Sequence, residues 1–459
     1  MSLEDELFHP LEAISPIDGR YRHITEPLAD YFSEKALIKY RILVEGEYLI
    51  HLQENIHIPD IRQFTDEEKG LIRSSYPIGI ADARLVKAIE KEGYKSIKAT
   101  NHDVKAVEYY LKDRFKGTSL EDCLEFIHFG LTSEDINNIA YALMISDSLG
   151  HVILPAISSL SDKIEDMAIK YKAVPMLART HGQPASPTTV GKEFKVFSSR
   201  LVKQLNPLYK FKILAKLNGA TSNDNARHVA YPNIGWHVLT EDFIESFNEN
   251  REIKLQPNFI TTQIESHDTY AELFDNVRRL NTVLVDFSQD IWRYISDDWF
   301  KQKLKEGEIG SSTMPQKINP IDFENGEKNL KFANSQFEFF SRELPISRLQ
   351  RDLSDSTAIR NFGVAFAHSI IGYYSLSKGL DKILVNEEKI REELNNHPEV
   401  ISEAYQTILR RERMTQPYEA LSKLTRGKKV TLEDLRAFPL QPVYLRFLVL
   451  EYYVAFIIA

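Results

Sequence analysis

The sequence predicts an all-α protein of three helical domains with a central long-helix bundle, and three observations carry that expectation. Nineteen glycines in 459 residues is about 4%, against roughly 7% in average proteins, so the chain is short of the residue that tight hairpins use most. From Asn258 to Glu306, 49 residues pass without a glycine or a proline. Within that stretch Leu273, Val277, Leu280, Leu284, Phe287, Ile291 and Ile295 recur every three or four positions, the spacing of one helix face.

In chain order, residues 1–121 carry short periodic runs broken by Gly and Pro and read as a small helical domain. Val104, Val107, Tyr110 and Leu111 mark a helix there, with Asn101, His102 and Asp103 in its first turn and Thr100 or Asn101 as its cap. Residues 122–375 form the long-helix domain. It opens with Thr132 and Ser133 capping a helix that starts near Glu134, where Asp135 favours the helix dipole. Helical patterns follow over Pro155–Lys172, Thr188–Leu205 and Pro320–Leu344, each with proline near its start, where the missing N–H costs nothing. The longest helix is expected from Ser266, capped by Ser266 with Asp268, to about Ser296, roughly 45 Å at 1.5 Å per residue. Val283, Val285 and Trp292 fall off its main stripe, so it is apolar on several faces and needs helices around it, including those of other subunits. Residues 218–233 read as a polar loop, and residues 376–459 as a small helical domain.

Composition narrows the function classes. With 43% hydrophobic and 27% charged residues the chain buries a large core. Fifty-seven Lys and Arg against 66 Asp and Glu give a net charge of −9, which argues against a globally basic nucleic-acid surface and leaves room for a local anion pocket. A single cysteine, Cys123, cannot form an internal disulfide, and no Cys/His cluster has metal-ligand spacing, which fits a reducing compartment and no metal. Glu4, Asp5 and Glu6 stand where a targeting peptide carries positive charge, so the expected location is cytoplasmic. The last segment, Ala437 to Ala459, is strongly apolar. Two prolines open it and Arg446 and Glu451 interrupt it, so it is expected to pack on the body or a neighbouring subunit rather than span a membrane.

Several segments carry groups suited to chemistry. Gly310–Pro320 (GSSTMPQKINP) joins two helical patterns with small residues whose N–H groups can converge, hydroxyls, a lysine and an asparagine, a composition that suits a carboxylate or phosphate; a plain polar connector is the alternative. In ARTHGQPASPTT (178–189), His181 sits in a stretch too broken for helix interior, either as a proton-transfer group or as a surface imidazole. Arg351, Ser356 and Arg360 set two guanidiniums and a hydroxyl around a phosphate-sized space, with surface salt bridges as the bland reading.

Together these pieces resemble a known family. GSSTMPQKINP is similar to the signature loop of the fumarase/aspartase superfamily, whose members release fumarate by breaking C–N or C–O bonds. SPIDGRY (15–21), TNHDVKAVEYYL (100–111), HFGLTSEDINN (128–138), ARTHGQPASPTT and SRLQRDLSDSTAIRN (347–361) narrow the resemblance to the adenylosuccinate lyase family in its bacterial form. The resemblance implies a homotetramer whose active sites are each shared between three subunits. It implies two nucleotide substrates and no metal or organic cofactor, with neither nucleic acid nor membrane as partner. It also implies Ser311 as the base, His181 as the acid and Glu324 as the carboxylate that orients His181. Thr132, Ser133, Gln263, Ser312, Lys317 and Asn319 map onto the succinyl carboxylates. Arg20 and Tyr21 map onto the phosphate–ribose end with Arg351 and the run Ser356, Thr357, Ala358, Ile359, Arg360. Asn101, His102, Asp103 and Asn325 line the remaining contacts, His102 orienting substrate. Gln316 stands where many relatives carry His, and the apolar ending departs from the polar helical ending the family leads one to expect. Arg20, Ser356 and Arg360 speak for a phosphate-bearing substrate rather than argininosuccinate. The retained His181 and serine pair speak against a non-catalytic scaffold.

Overall fold

The computed structural model describes residues 9–54, 58–303, 313–314 and 316–438. Its α-helices of six residues or more are α1 (Glu34–Glu54), α2 (Asp66–Arg73), α3 (Ile80–Lys91), α4 (Asp103–Phe115), α5 (Ser133–Ser148), α6 (Leu154–Lys170), α7 (Val190–Tyr209), α8 (Asn225–Ala230) and α9 (Trp236–Ser246). There follow α10 (Asp268–Ser296), α11 (Ile321–Glu343), α12 (Ser354–Ile359), α13 (Phe362–Lys382), α14 (Glu387–Asn395), α15 (Ser402–Arg411), α16 (Pro417–Thr425) and α17 (Leu432–Ala437). Among the described residues six short strands pair into three ribbons. β1 (Pro175–Thr180) with β2 (Gln183–Thr189) and β5 (Phe300–Gln302) with β6 (Ile383–Val385) are antiparallel, and β3 (Lys212–Ala215) with β4 (Lys254–Pro257) is parallel. The class is all-α, as the sequence predicts.

Two compact units divide the chain. The first takes residues up to 157, 204–282 and 328–372; the second takes 158–203, 283–327 and the chain from 373 on. In the first unit α1 lies in the interior, its Tyr40, Ile42, Val44, Tyr48 and Leu52 buried alongside the polar Arg41, Glu45 and His51. Glu45 Oε1 meets Nδ1 of the His128 ring at 2.6 Å, and Tyr48 donates to the Phe129 carbonyl at 2.9 Å. An aromatic cluster joins α10, α11 and α13 in this unit, where Phe274 stacks on Phe337 (centroids 5.5 Å) and meets Phe362 edge-on at 4.8 Å. The second unit has a smaller aromatic core of Phe194, Phe287 and Phe300. It also holds a separate cluster in which Leu177 of β1 packs among Leu394, Tyr405, Leu409 and Leu421.

The 29-residue α10 is the long helix expected, and its stripe from Leu273 to Ile291 is buried. It starts at Asp268 rather than Ser266: His267 takes a left-handed φ of 62° ahead of it, and Ser266 Oγ donates to the Asp268 carboxylate at 2.8 Å. The helix expected from Thr188 begins at Val190 because residues 183–189 are strand β2; Thr189 Oγ1 caps it by accepting from Lys192 N at 3.1 Å. A short helix, α8, sits inside the predicted polar loop.

Helices α5 and α6, joined by one π-helical turn at Leu149–Ile153, run continuously over Ser133–Lys170. That run is apolar and long enough to cross a membrane on length and composition alone, but 67% of its most apolar stretch is buried inside the protein. It also carries buried Glu134, Asp135 and Asn138, all engaged in hydrogen bonds or ion pairs, and this marks a core helix. The apolar segment beyond Phe438 lies outside the described residues.

Candidate active site

A cleft of about 520 Å³ opens in the first unit. Four stretches far apart in sequence reach it: Asn101 and His102 with Asp103 of α4, Thr132 and Ser133 at the start of α5, Gln263 in the loop before α10, and Arg351 with Ser356, Ile359 and Arg360 on and around α12. Local sequence sets each one. His102, not Thr100 or Asn101, is the cap of α4: its Nδ1 accepts from Lys105 N at 3.3 Å, while Asn101 turns the chain with a φ of 48°. A nitrogen that accepts carries no proton, so the ring proton is on Nε2, which donates to Ser133 Oγ at 3.2 Å. Thr132 caps α5 as predicted, its N–H donating to Asp135 Oδ2 at 2.8 Å. On α12 and its C-cap, Ser356, Ile359 and Arg360 are spaced three and four apart and share the face toward the cleft. Thr357 and Ala358 fall off that face, and Ala358 lines a smaller cavity of about 230 Å³.

The charges of the cleft are arranged in pairs. Asp103 Oδ2 accepts from Arg41 Nη2 at 2.8 Å and from Arg360 Nη2 at 2.9 Å. Burial opposes ionisation of this carboxyl, but the two guanidiniums outweigh it and hold its pKa down at about 2. Arg360 Nη1 also donates to Glu34 Oε2 at 2.8 Å, and Arg351 Nη2 pairs with buried Glu134 Oε2 at 2.9 Å. Burial pushes the Glu134 carboxyl up, with Asp355 adding like charge and Arg351 opposing. Three guanidiniums (Arg41, Arg351, Arg360) thus face four carboxylates (Glu90, Asp103, Glu134, Asp355) around the cavity. Each arginine is held in a defined orientation by its acid.

Arg20 and Tyr21 belong to the first unit but do not line this cleft; the Arg20 guanidinium lies 5.9 Å from the Tyr21 ring centroid. The remaining predicted residues lie in the second unit or outside the described residues. His181 and Gly182 form the two-residue turn of the β1–β2 hairpin, with φ of 54° and 73°. Positive φ at both central positions is the turn that matches strand twist, and it presents an exposed imidazole at a hairpin tip. Glu324, in the first turn of α11, accepts from the Trp292 indole at 3.1 Å. No hydrogen bond joins it to His181 among the described residues of this chain. Asn325 donates to Ser375 Oγ at 2.8 Å. Lys317 and Asn319 lie just ahead of α11, Lys317 N donating to the Met314 carbonyl at 3.0 Å. Ser311 and Ser312 lie outside the described residues.

Arg41, Asn137 and Tyr141 also line the cleft, and the sequence reading passes over them. Arg41 has 2% of its side chain exposed and donates through Nε to Asn137 Oδ1 at 2.9 Å. Its one sequence signal is a cation inside the nearly unbroken apolar run ALIKYRILV.

Comparison with known proteins follows the same lines. The pattern of the family described as Lyase matches residues 19–331, and that of the adenylosuccinate lyase C-terminal family matches residues 347–441. The chain is 48% identical over 438 residues to the adenylosuccinate lyase of Dictyostelium discoideum, covering 93% of this chain and 91% of that protein. It is 47% identical over 430 residues to that of Haemophilus influenzae, and 45% identical to that of Escherichia coli K12, with the same coverages. Among solved structures, it resembles a fumarate lyase from Mesorhizobium sp. BNC1 (TM-score 0.66, 16% identity, 94% of this chain and 96% of that one). A β-carboxy-cis,cis-muconate cycloisomerase from Acinetobacter calcoaceticus is similar at TM-score 0.66 and 16% identity, over 94% of this chain and 97% of that one. At those identities the solved structures speak for the fold.

Proposed function

The chain belongs to the adenylosuccinate lyase family of the fumarase/aspartase superfamily, and on that premise we propose which residues bind the substrate and carry the elimination. The reaction splits adenylosuccinate into AMP and fumarate, and the corresponding succinylaminoimidazole carboxamide ribotide into its amino product and fumarate. Ser311 removes the proton from the carbon beside a carboxylate. The electron pair left behind forms the fumarate double bond as the C–N bond breaks, and His181 protonates the departing nitrogen. A serine is a poor base unless its alkoxide is stabilised, so Lys317 and the N–H groups of the surrounding loop serve that purpose. Glu324 orients His181.

One observation carries the substrate reading: four separated stretches bring Asn101–Asp103, Thr132–Ser133, Gln263 and Arg351–Arg360 to a single cleft. Arg351, Ser356 and Arg360 take the phosphate, with Arg20 and Tyr21 at the same end, and Thr132, Ser133 and Gln263 take succinyl carboxylate together with Ser312, Lys317 and Asn319. With Nδ1 occupied by a backbone N–H, His102 orients substrate through Nε2. The acid and base reach the cleft from other subunits of a homotetramer. Large apolar side chains exposed on the long helices support the assembly, among them Trp292, Phe332, Phe339 and Tyr374. The buried, unpaired thiol of Cys123 accords with a cytoplasmic setting.

The test is purified protein mixed with adenylosuccinate, followed by ultraviolet absorbance and fumarate release. Wild type turns over, and Ser311→Ala and His181→Ala each lower kcat by about 10²–10⁴. Wild-type turnover in Ser311→Ala removes the base assignment. A folded wild-type tetramer without turnover points instead to a non-catalytic scaffold.

A further inference from the structure

Beneath the cleft lies an ion pair that no part of the reaction uses. Lys216 and Asp135 are both fully buried, with 0% of either side chain exposed. The Lys216 ammonium has three hydrogens and three acceptors: Asp135 Oδ1 at 2.9 Å, the Gly219 carbonyl at 3.0 Å and the Gln263 carbonyl at 2.7 Å. No donor is left for substrate. Asp135 is equally committed, taking Asn218 N at 3.1 Å on Oδ1, and Thr132 N at 2.8 Å and Gly219 N at 3.1 Å on Oδ2. Gln263 is held a second time, its side-chain amide donating to the Ala220 carbonyl at 3.1 Å.

A buried charge pair is a poor source of stability but a strong source of orientation when every hydrogen bond is made. Here the pair ties together three segments distant in sequence: the cap of α5 that presents Thr132 and Ser133, the turn after β3, and the loop before α10 that presents Gln263. We infer that Lys216 and Asp135 are positioning residues that pre-set the carboxylate-binding wall of the cleft, distinct from the arginines that face the phosphate. The inference rests on the proposed reading that this wall takes the succinyl carboxylates.

The two halves of the substrate separate the roles. Inhibition constants of fumarate and of AMP are measured on wild type, on Lys216→Met, and on the double variant Asp135→Asn/Lys216→Met. The double variant removes both charges at nearly constant volume, so it does not strand a buried carboxylate. In both variants the fumarate constant rises at least about tenfold while the AMP constant stays within about threefold, since losing one arm of a prearranged wall removes a step of that order. A purely structural role moves both constants together, and that result, or no movement in either, overturns the inference. Wild type that fails to cleave adenylosuccinate overturns the reaction itself and the inference with it, whereas turnover without the split overturns the positioning role alone.

Discussion

A cation inside an apolar helix needs fixed partners, and Arg41 illustrates the consequence for the site. Its guanidinium reaches Asn137 and Asp103, and Asp103 in turn holds Arg360. Removing Arg41 leaves the partly exposed Asp103 carboxylate with one partner fewer and frees Arg360 to lean toward Glu34. Arg41→Met is therefore expected to cost about 1–3 kcal/mol of stability, below the range for breaking a fully buried pair because Asp103 keeps some contact with water. It is also expected to raise KM for adenylosuccinate more than it lowers kcat. Urea unfolding and steady-state kinetics on the same preparation check both. Several residues that line the cleft were legible because they sit in recognisable strings such as TNHDVKAVEYYL and DLSDSTAIRN. Arg41 and Lys216 were not, because a buried charge and a solvated one look alike until their partners are known.

Among the elements, the long helices were legible for the opposite reason: their signal is summed over many turns, and the stripe from Leu273 to Ile291 is buried as its spacing requires. The β1–β2 hairpin was hidden, since Pro184 and Pro187 interrupt any alternation and His181–Gly182 is an uncommon turn pair. Where that hairpin feeds α7, Gly191 sits against the end of α6. A methyl group there would lie 2.4 Å from the Ala168 carbonyl oxygen and 2.5 Å from Lys172 Cα, both backbone atoms. Gly191→Ala should lower the melting temperature strongly, by about 2–4 kcal/mol of stability, because neither backbone can yield without disturbing the helix.

On α10, burial, followed by the charges of Asp286 and Glu193, lifts the Asp290 carboxyl to about 6. Its ordinary value is 3.8, so between the two the unfolded chain is ionised while the folded one keeps its proton. Stability then falls as pH rises through that window, and the whole penalty stands above about 6. Asp290→Asn is expected to gain about 1–2 kcal/mol near pH 8 and nothing near pH 4, a difference visible in melting curves at the two pH values.

At the scale of the molecule, the lone thiol reports on integrity. Cys123 is 3% exposed, and burial, with the Asp122 carboxylate as acceptor, pushes its pKa up to about 11. Native protein should resist a thiol reagent at about pH 8, while one equivalent per chain reacts in concentrated guanidinium. Substantial labelling of native protein would mean that the helical region around Cys123 opens under ordinary conditions.

The pairing of Arg41, Arg351 and Arg360 with Asp103, Glu134 and Glu34 also bears on how a ligand arrives. Neutralised at close range, those arginines cast little positive potential into solution, and the chain as a whole carries a charge of −9. This wall of the site therefore does not draw a nucleotide in from a distance. Encounter is not accelerated by this wall, and the arginines act once the phosphate is within hydrogen-bonding reach.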